Sequence, residues 1–337
     1  GYYRATGKLP AVVLHTGVGV LHGAMPIHTA RQDGVPMVVL AGDSAAWGED
    51  RRHDPGSQWL HSLSEPGGPS AQAQPWTKWS ATVSNVDALP GMVEHACRVA
   101  MSSPMGPTIL TVPMEISLGE VRPELVRATP VTRALTRPAA ESVERVARLL
   151  VGSQAPVIVT EYAGREPGNF SRLVELAERL SILVVEASIP TCTNFPTDHP
   201  LHAGYDAIPI VDAADVVLLI GSRAPWHPAS RRPAKGAQVV VIDDSPGNAT
   251  LPTWNFPVDL FVPGSIDLAL EDLLAAVKAL TSDRPVSEQL LEERRRRAAA
   301  EHGRQRTELQ ARVARWSDEV PLRDGFVLSE LAELLPE

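Results

Sequence analysis

The sequence has few of the features that serve disulfides, structural zinc or membranes. Only two cysteines, Cys97 and Cys192, occur among its 337 residues, and they form no CxxC pair. A zinc site or disulfide framework is therefore not expected, and a reducing cytoplasm fits this usage. No apolar run approaches the ~20 residues of a membrane span. The formal net charge of -9 argues against nucleic acid or anionic membranes as partners.

The chain also lacks an initiating Met and a basic-then-apolar signal segment. It opens on GYYRATGK, and the strand-like residues 12–14 follow shortly afterwards. We therefore expect the sequence to start inside a fold and to be part of a longer protein.

Short apolar runs alternate with helix-like stretches, which predicts two parallel-sheet α/β domains. In the first half the predicted strands are 11–16, 36–42 and 107–113, with helices at 22–33 and 89–102, and residues 43–75 read as a loop. In the second half the predicted strands are 156–160, 182–187, 213–221 and 237–244, with helices at 140–151, 169–180 and 265–280. The uniformly apolar strands are typical of a sheet covered on both faces.

The expected domain boundaries follow changes in composition. Residues 1–120 form a first domain, 121–138 a proline-containing linker, 139–282 a second domain, and 283–337 a charged helical segment followed by the start of another domain. Four successive arginines at 294–297 lie among glutamates in a helix-prone stretch. That pattern favours a solvated helix over a nucleic-acid site.

Several motifs resemble thiamine diphosphate-dependent 2-oxoacid enzymes, a family that includes acetolactate synthases and benzoylformate decarboxylases. GYYRATGK resembles the family's GYARATGK, and ARQDGVPMVVLAG, WTKWSATV and GPTILTVPMEI also have counterparts there. APVIVTEYAG, ADVVLLIGS and QVVVIDD resemble the central, nucleotide-binding-like domain. The resemblance implies a partial pyrimidine-binding domain, the central domain, and the entry to a diphosphate-binding domain at 321–337.

The same resemblance implies thiamine diphosphate and Mg²⁺ as cofactors. The family's glutamate that contacts the aminopyrimidine lies before the segment matching Gly1. Its GDG-to-Asn motif, which holds Mg²⁺ and the diphosphate, lies beyond the segment matching Glu337. We therefore expect this chain alone to be catalytically inactive, and the functional prediction concerns the longer protein.

His15 is the first candidate catalytic residue, because it directly follows a strand-like run in VVLHTGVGVLHG (12–23). A histidine both gives and takes protons near neutral pH, and neighbouring glycines let the backbone approach a ligand. Benzoylformate decarboxylase has a functional histidine at the matching place, whereas acetolactate synthases have threonine followed by a GPG turn. Thr16, Gly17 and Gly19 are accordingly candidate pocket residues. The alternative for His15 is a core histidine bonded to a backbone carbonyl.

His227, in GSRAPWHPAS, is the second catalytic candidate, because benzoylformate decarboxylase has an active-site histidine in the corresponding loop. An ordinary surface loop is its alternative. His22 replaces an asparagine of both subfamilies that can cap a helix, and it indicates either an altered pocket or drift. Gln58 matches a pocket-lining glutamine of the family.

Three functions remain open from the sequence. The first is a non-oxidative 2-oxoacid decarboxylase of the benzoylformate type. The second is an acetolactate synthase-like carboligase, whose central domain holds FAD; nothing in the sequence decides whether FAD binds. The third is a non-catalytic nucleotide-binding or regulatory relative. The resemblance also implies a homo-oligomer, either a dimer or a tetramer, that takes a small 2-oxoacid.

Overall fold

The computed structural model describes residues 1–44, 67–126, 130–187, 189–245, 251 and 253–334. The chain divides into two compact units, Gly1–Leu135 and Thr136–Glu337. Within the described ranges, no helix combines the length and apolar character needed to cross a bilayer. Cys97 and Cys192 are both free thiols.

The first unit contains a four-stranded parallel sheet in the order β1-β2-β4-β3. Its strands are β1 (Ala11–Leu14), β2 (Met37–Asp43), β3 (Trp79–Thr82) and β4 (Pro107–Pro113). The helices are α1 (Tyr2–Thr6), α2 (Thr16–Gln32), α3 (Gly68–Ala73), α4 (Leu89–Met101) and α5 (Met114–Ser117). Buried residues of α2 and α4 pack on opposite faces of the sheet, against Val39 and Ile109 on one side and Val38 and Leu110 on the other.

The second unit contains a five-stranded parallel sheet in the order β6-β5-β7-β8-β9. Its strands are β5 (Pro156–Thr160), β6 (Leu183–Glu186), β7 (Val216–Ile220), β8 (Gln238–Asp243) and β9 (Leu260–Pro263). The helices are α6 (Ala140–Gly152), α7 (Pro167–Leu180), α8 (Ile208–Val211), α9 (Ile266–Asp283), α10 (Glu288–Trp316) and α11 (Asp324–Leu334). Every residue of the central strands β5 and β7 is buried, as expected between two helix layers, and every residue of the edge strand β6 is buried as well.

Two parallel-sheet α/β units confirm the predicted fold class. The predicted strands at 107–113 and 156–160 match the structure residue for residue. Two short strands, β3 and β9, were not predicted, and α3 lies inside the segment expected to be a loop. Each of these elements spans at most six residues, which is too short for a clear apolar period.

The expected solvated helix over the arginine run is present as α10, but it is not solvated throughout. Arg294 is only 3% exposed and Ala298 only 1%. The other three arginines of the run are less buried. The many charged residues in the sequence of α10 do not reveal that one of its turns is buried against the rest of the second unit.

Candidate functional site

The end of β1 and the start of α2 form the first candidate site. The strand ends at Leu14, and His15 occupies the N-cap position of the helix, with φ -90° and ψ 112°. The ring of His15 is exposed, and no side chain caps the first turn of α2. In parallel α/β sheets, ligands bind outside the carboxyl ends of strands, so His15 lies where such a site is expected.

Thr16 is the most strained residue of this site. Its φ of 45° is left-handed, which costs a β-branched residue roughly 1–3 kcal/mol. The residue is buried, and across the described ranges its Oγ1 has no hydrogen-bond partner. Strain combined with an orphaned hydroxyl is typical of positions kept for binding.

Gly17 and Gly19 lie inside α2, so the helix starts at Thr16 and the predicted start at residue 22 is wrong. A Cβ on Gly19 would lie 3.3 Å from the carbonyl carbon and from the Cβ of Leu14. At Gly23 it would lie 3.0 Å from Leu14 Cδ1. The glycines therefore bring the helix close to the strand, and the left-handed turn at Thr16 lets the helix start immediately.

His22, which replaces a family asparagine able to cap a helix, does not lie at the start of a helix. The helix starts at Thr16, so His22 lies inside it and is exposed. Because His15 has extended backbone angles and Thr16 is left-handed, helical spacing does not place His15 and His22 on one face of α2.

His227 belongs to the second unit, in the loop that follows β7, and its ring is exposed. The preceding residue, Trp226, is buried and donates from Nε1 to the Arg231 carbonyl at 3.2 Å. His15 and His227 thus lie in different units. Gln58 falls outside the described residues.

The sequence reasoning missed a set of buried polar residues at the carboxyl edge of the second sheet. Glu161, which follows β5, accepts from the backbone N–H of Arg223 at 2.9 Å and from its Nε at 2.8 Å. A further bond joins Arg223 Nη2 to the same carboxylate. Glu161 is buried, and its partner follows the neighbouring strand β7.

A second buried carboxylate ends β6. Glu186 Oε2 accepts from the backbone N–H of Asn194 at 3.1 Å and from its Nδ2 at 2.8 Å. Its Oε1 lies 3.5 Å from Nε2 of the buried His202. These contacts join the end of β6 to the loop that follows it.

A third buried carboxylate, Asp243, ends β8. Its Oδ2 accepts from the Tyr162 hydroxyl at 2.7 Å, and its Oδ1 accepts from the Ser245 N–H at 2.8 Å. Burial raises the pKa of Asp243 to about 7, although the Tyr162 hydrogen bond opposes the shift. Burial and the neighbouring carboxylate likewise raise the pKa of Tyr162.

One sequence signal was available for these three acids: each stands at or directly after the end of an apolar strand. Parallel strands place such positions at one edge of the sheet. Across the described ranges, however, no group of three or more His, Cys, Asp or Glu side chains is arranged to hold a metal ion.

Two family models match the chain. The thiamine pyrophosphate enzyme N-terminal TPP binding domain matches residues 1–64, which include His15 and α2. The thiamine pyrophosphate enzyme central domain matches residues 143–273, which include β5 to β9 and His227.

Curated relatives agree with these models. The mitochondrial acetolactate synthase catalytic subunit of Aspergillus candidus is 28% identical over 253 residues, which cover 66% of this chain and 33% of the relative. A probable 2-ketoarginine decarboxylase of Pseudomonas aeruginosa is 24% identical and covers 99% of this chain and 58% of its own length. The chain therefore spans about a third to three fifths of these two relatives.

The fold agrees with a solved structure as well. Benzoylformate decarboxylase from Polynucleobacter necessarius superposes with a TM-score of 0.65 at 23% identity, covering 80% of this chain and 50% of that chain. At this identity the match concerns the fold. The two family models show that the chain belongs to the thiamine pyrophosphate enzyme family.

Proposed function

We propose that the complete protein is a thiamine diphosphate-dependent enzyme acting on 2-oxoacids, and specifically a non-oxidative decarboxylase. The observation that carries the proposal is His15, an exposed imidazole at the carboxyl end of a parallel strand, inside the matched TPP-binding segment. When bound, thiamine diphosphate supplies the electron sink, and the protein contributes orientation and proton transfer.

His15 would hold or deliver the protons that decarboxylation requires. Histidine side chains can give and take protons in catalysis, and His15 is exposed to a ligand at the end of β1. Thr16 would offer its hydroxyl, and Gly17 would leave the backbone beside it without a side chain, while Gly19 lets α2 pack closely on Leu14. The orphaned Thr16 Oγ1 supports a ligand at this end of the helix.

Mg²⁺ would need oxygen ligands from elsewhere in the complete protein, because the described residues do not form a metal cluster. His227 is the second proton-transfer residue of the proposal. Its exposed position in the loop after β7 supports a role at a surface that faces a ligand.

The test replaces His15 by Ala in the complete translation product of the gene. The initial rate of CO₂ release from a panel of 2-oxoacids is measured with thiamine diphosphate and Mg²⁺. We expect kcat/KM to fall about 10²–10⁴-fold, the usual contribution of a positioned acid or base. His28→Ala changes an exposed histidine of the same helix and is the matched control. Equal rates for both variants would remove His15 from the mechanism.

A carboligase of the acetolactate synthase type is the second candidate, and the Aspergillus candidus relative favours it. The product decides between the two candidates: acetolactate from pyruvate indicates the carboligase, and an aldehyde with CO₂ indicates the decarboxylase. The absence of both products under all conditions would favour a non-catalytic relative.

The second sheet does not fit FAD at its most obvious position. Strand order reverses between β5 and β7, and nucleotides bind in the crevice outside the carboxyl ends at such a point. There the ion pair between the buried Glu161 and the partly exposed Arg223 closes the edge. A Cβ on Gly221 would lie only 2.8 Å from the ring of Tyr162, so this ring fills the adjoining space. We therefore expect the purified complete protein to lack flavin absorbance, and a yellow protein with stoichiometric FAD would contradict this.

A homo-oligomer is part of the proposal. Val18, Leu21 and Met25 share one exposed face of α2, and Val13 on the edge strand β1 is 78% exposed. Such an apolar patch supports burial against a second copy. Sedimentation of the complete protein is expected to show a dimer or tetramer, and Met25→Glu is expected to weaken it. A monomer at all concentrations would refute this expectation.

A further inference from the structure

An open groove of about 590 Å³ lies in the second unit, a short distance along the chain from His227. Sites for small molecules usually have volumes of roughly 300–1,000 Å³. Two loops contribute the lining, one after β7 and one before β9: Ala229, Ser230, Arg232, Asn255, Phe256 and Pro257.

Arg232 differs from the adjacent Arg231 in the partners of its guanidinium. Its Nη1 donates to the Ala229 carbonyl at 2.5 Å and to the Arg231 carbonyl at 3.3 Å, so the backbone holds the guanidinium in place. Arg231 instead pairs with Asp212 at 2.6 Å. In the part of the chain that the structure describes, no carboxylate pairs with Arg232, although it is exposed and lines the groove.

The loop before β9 gives the groove an apolar lining, and aromatic packing supports it. Phe256 is half-buried, with its ring 5.2 Å from that of Trp226 and 5.4 Å from that of Trp254. Pro257 extends the same wall, and the exposed Asn255 adds an amide. A cation and an apolar wall that line the same groove are the combination that an amphipathic anion requires.

We propose that this groove binds the carboxylate of an organic acid with an apolar side chain, with Arg232 as its anchor. The planar guanidinium has donors beyond those used by the two carbonyls, and it matches a carboxylate in a fork geometry. Phe256 and Pro257 would contact the apolar part. The identification of the acid as a 2-oxoacid rests on the proposed function, whereas the groove and its charge do not.

A carboxylate suits the groove better than a phosphate does. A phosphate carries more charge and generally gathers several cationic or N–H donors. Among the described lining residues, Arg232 is the one cationic side chain, and Phe256 and Pro257 are apolar. We therefore expect phosphate to bind this groove weakly or not at all.

The test measures binding to the 337-residue chain by titration calorimetry, without turnover. The probes are phenylglyoxylate, its uncharged methyl ester, and inorganic phosphate. Arg232→Met removes the anchor at nearly constant length, and Arg231→Met removes an equal charge outside the groove. We expect phenylglyoxylate to bind, Arg232→Met to weaken it at least about 10-fold, and Arg231→Met to leave it within about 2-fold.

Several outcomes would overturn the inference. These are no binding of phenylglyoxylate, equal binding by wild type and Arg232→Met, equal binding of the methyl ester, or tighter binding of phosphate. Binding that depends on Arg232 in a protein without decarboxylase or carboligase activity would reject the proposed function but keep the groove. Conversely, catalysis that depends on His15 with no such binding would reject the groove alone.

Discussion

Arg294 provides the sharpest prediction about stability. It belongs to α10, yet its guanidinium is buried against the ends of two other helices. Nη1 donates to the Leu180 carbonyl at 2.6 Å, and Nη2 donates to the Leu150 carbonyl at 3.2 Å and to the Ser153 carbonyl. These carbonyls lie at the carboxyl ends of α7 and α6, where helix dipoles favour a cation.

The magnitude follows from these contacts. Three hydrogen bonds from a charged donor would be lost, each with a net value of about 1–2 kcal/mol, and buried carbonyls would be left unpaired. Burial lowers the pKa of Arg294, and the Asp215 carboxylate opposes this effect, so part of the gain is spent on desolvation. We expect Arg294→Ala to lower the free energy of unfolding of the second unit by about 3–5 kcal/mol.

The assay is urea unfolding followed by circular dichroism on the chain itself. Arg295→Ala is the matched control, because Arg295 is the next residue and pairs with Glu288 and Glu292 on the surface. The control is expected to unfold close to wild type. Equal midpoints for the two variants would refute the claim that Arg294 fastens α10 to the unit.

Three further predictions concern the carboxyl edge of the second sheet. The pKa of Asp243 is raised to about 7 from an ordinary value near 4, so the folded state holds its proton longer than the unfolded state. The Asp243 carboxyl group therefore makes its full contribution to the free energy of unfolding below about pH 4. That contribution, at most about 4 kcal/mol, is lost as the pH rises through about 7. Asp243→Asn should remove the loss of stability that comes from ionisation of Asp243. If the wild-type protein and Asp243→Asn lose equal stability between pH 5 and pH 8 in unfolding curves, the prediction is wrong. Gly221→Ala should lower the free energy of unfolding by about 2–4 kcal/mol, because φ of Gly221 is 55° and an added Cβ would lie 2.8 Å from Tyr162 and Ile266 atoms. Gly236→Ala is the control for backbone strain alone, because φ of Gly236 is 90° and an added Cβ would have no atom within 4 Å. An equal loss in both variants would show that the steric contacts at Gly221 are unimportant. Arg223→Met should leave the Glu161 carboxylate buried without its cation and cost about 3–5 kcal/mol by thermal unfolding, whereas an unchanged midpoint would show that the pair contributes little.

The fold was largely predictable from the sequence because its central strands are long apolar runs. Residues 107–113 and 156–160 have no polar alternation, and both are buried on two faces. The start of α2 was not predictable in the same way. GVG reads as a turn, and only the close approach of Gly19 to Leu14 shows why glycines belong inside that helix.

The candidate site was predictable in part. The position of His15 after a strand follows from the sequence, but the left-handed φ of Thr16 and its unpaired hydroxyl depend on how the chain packs. The buried pairs made by Glu161 and Asp243 join residues 62 and 81 positions apart, and no local pattern fixes such partners. Arg294 was missed for the same reason, since its acceptors lie more than a hundred residues away.

The central claim is tested most directly by following ¹⁴CO₂ release from a carboxyl-labelled 2-oxoacid by the complete protein, with and without thiamine diphosphate and Mg²⁺. The account predicts release that requires thiamine diphosphate, saturates with the 2-oxoacid, and falls about 10²-fold or more in His15→Ala. The account would be contradicted if protein freed of bound thiamine diphosphate released CO₂ without added thiamine diphosphate, or if no 2-oxoacid tested gave any release.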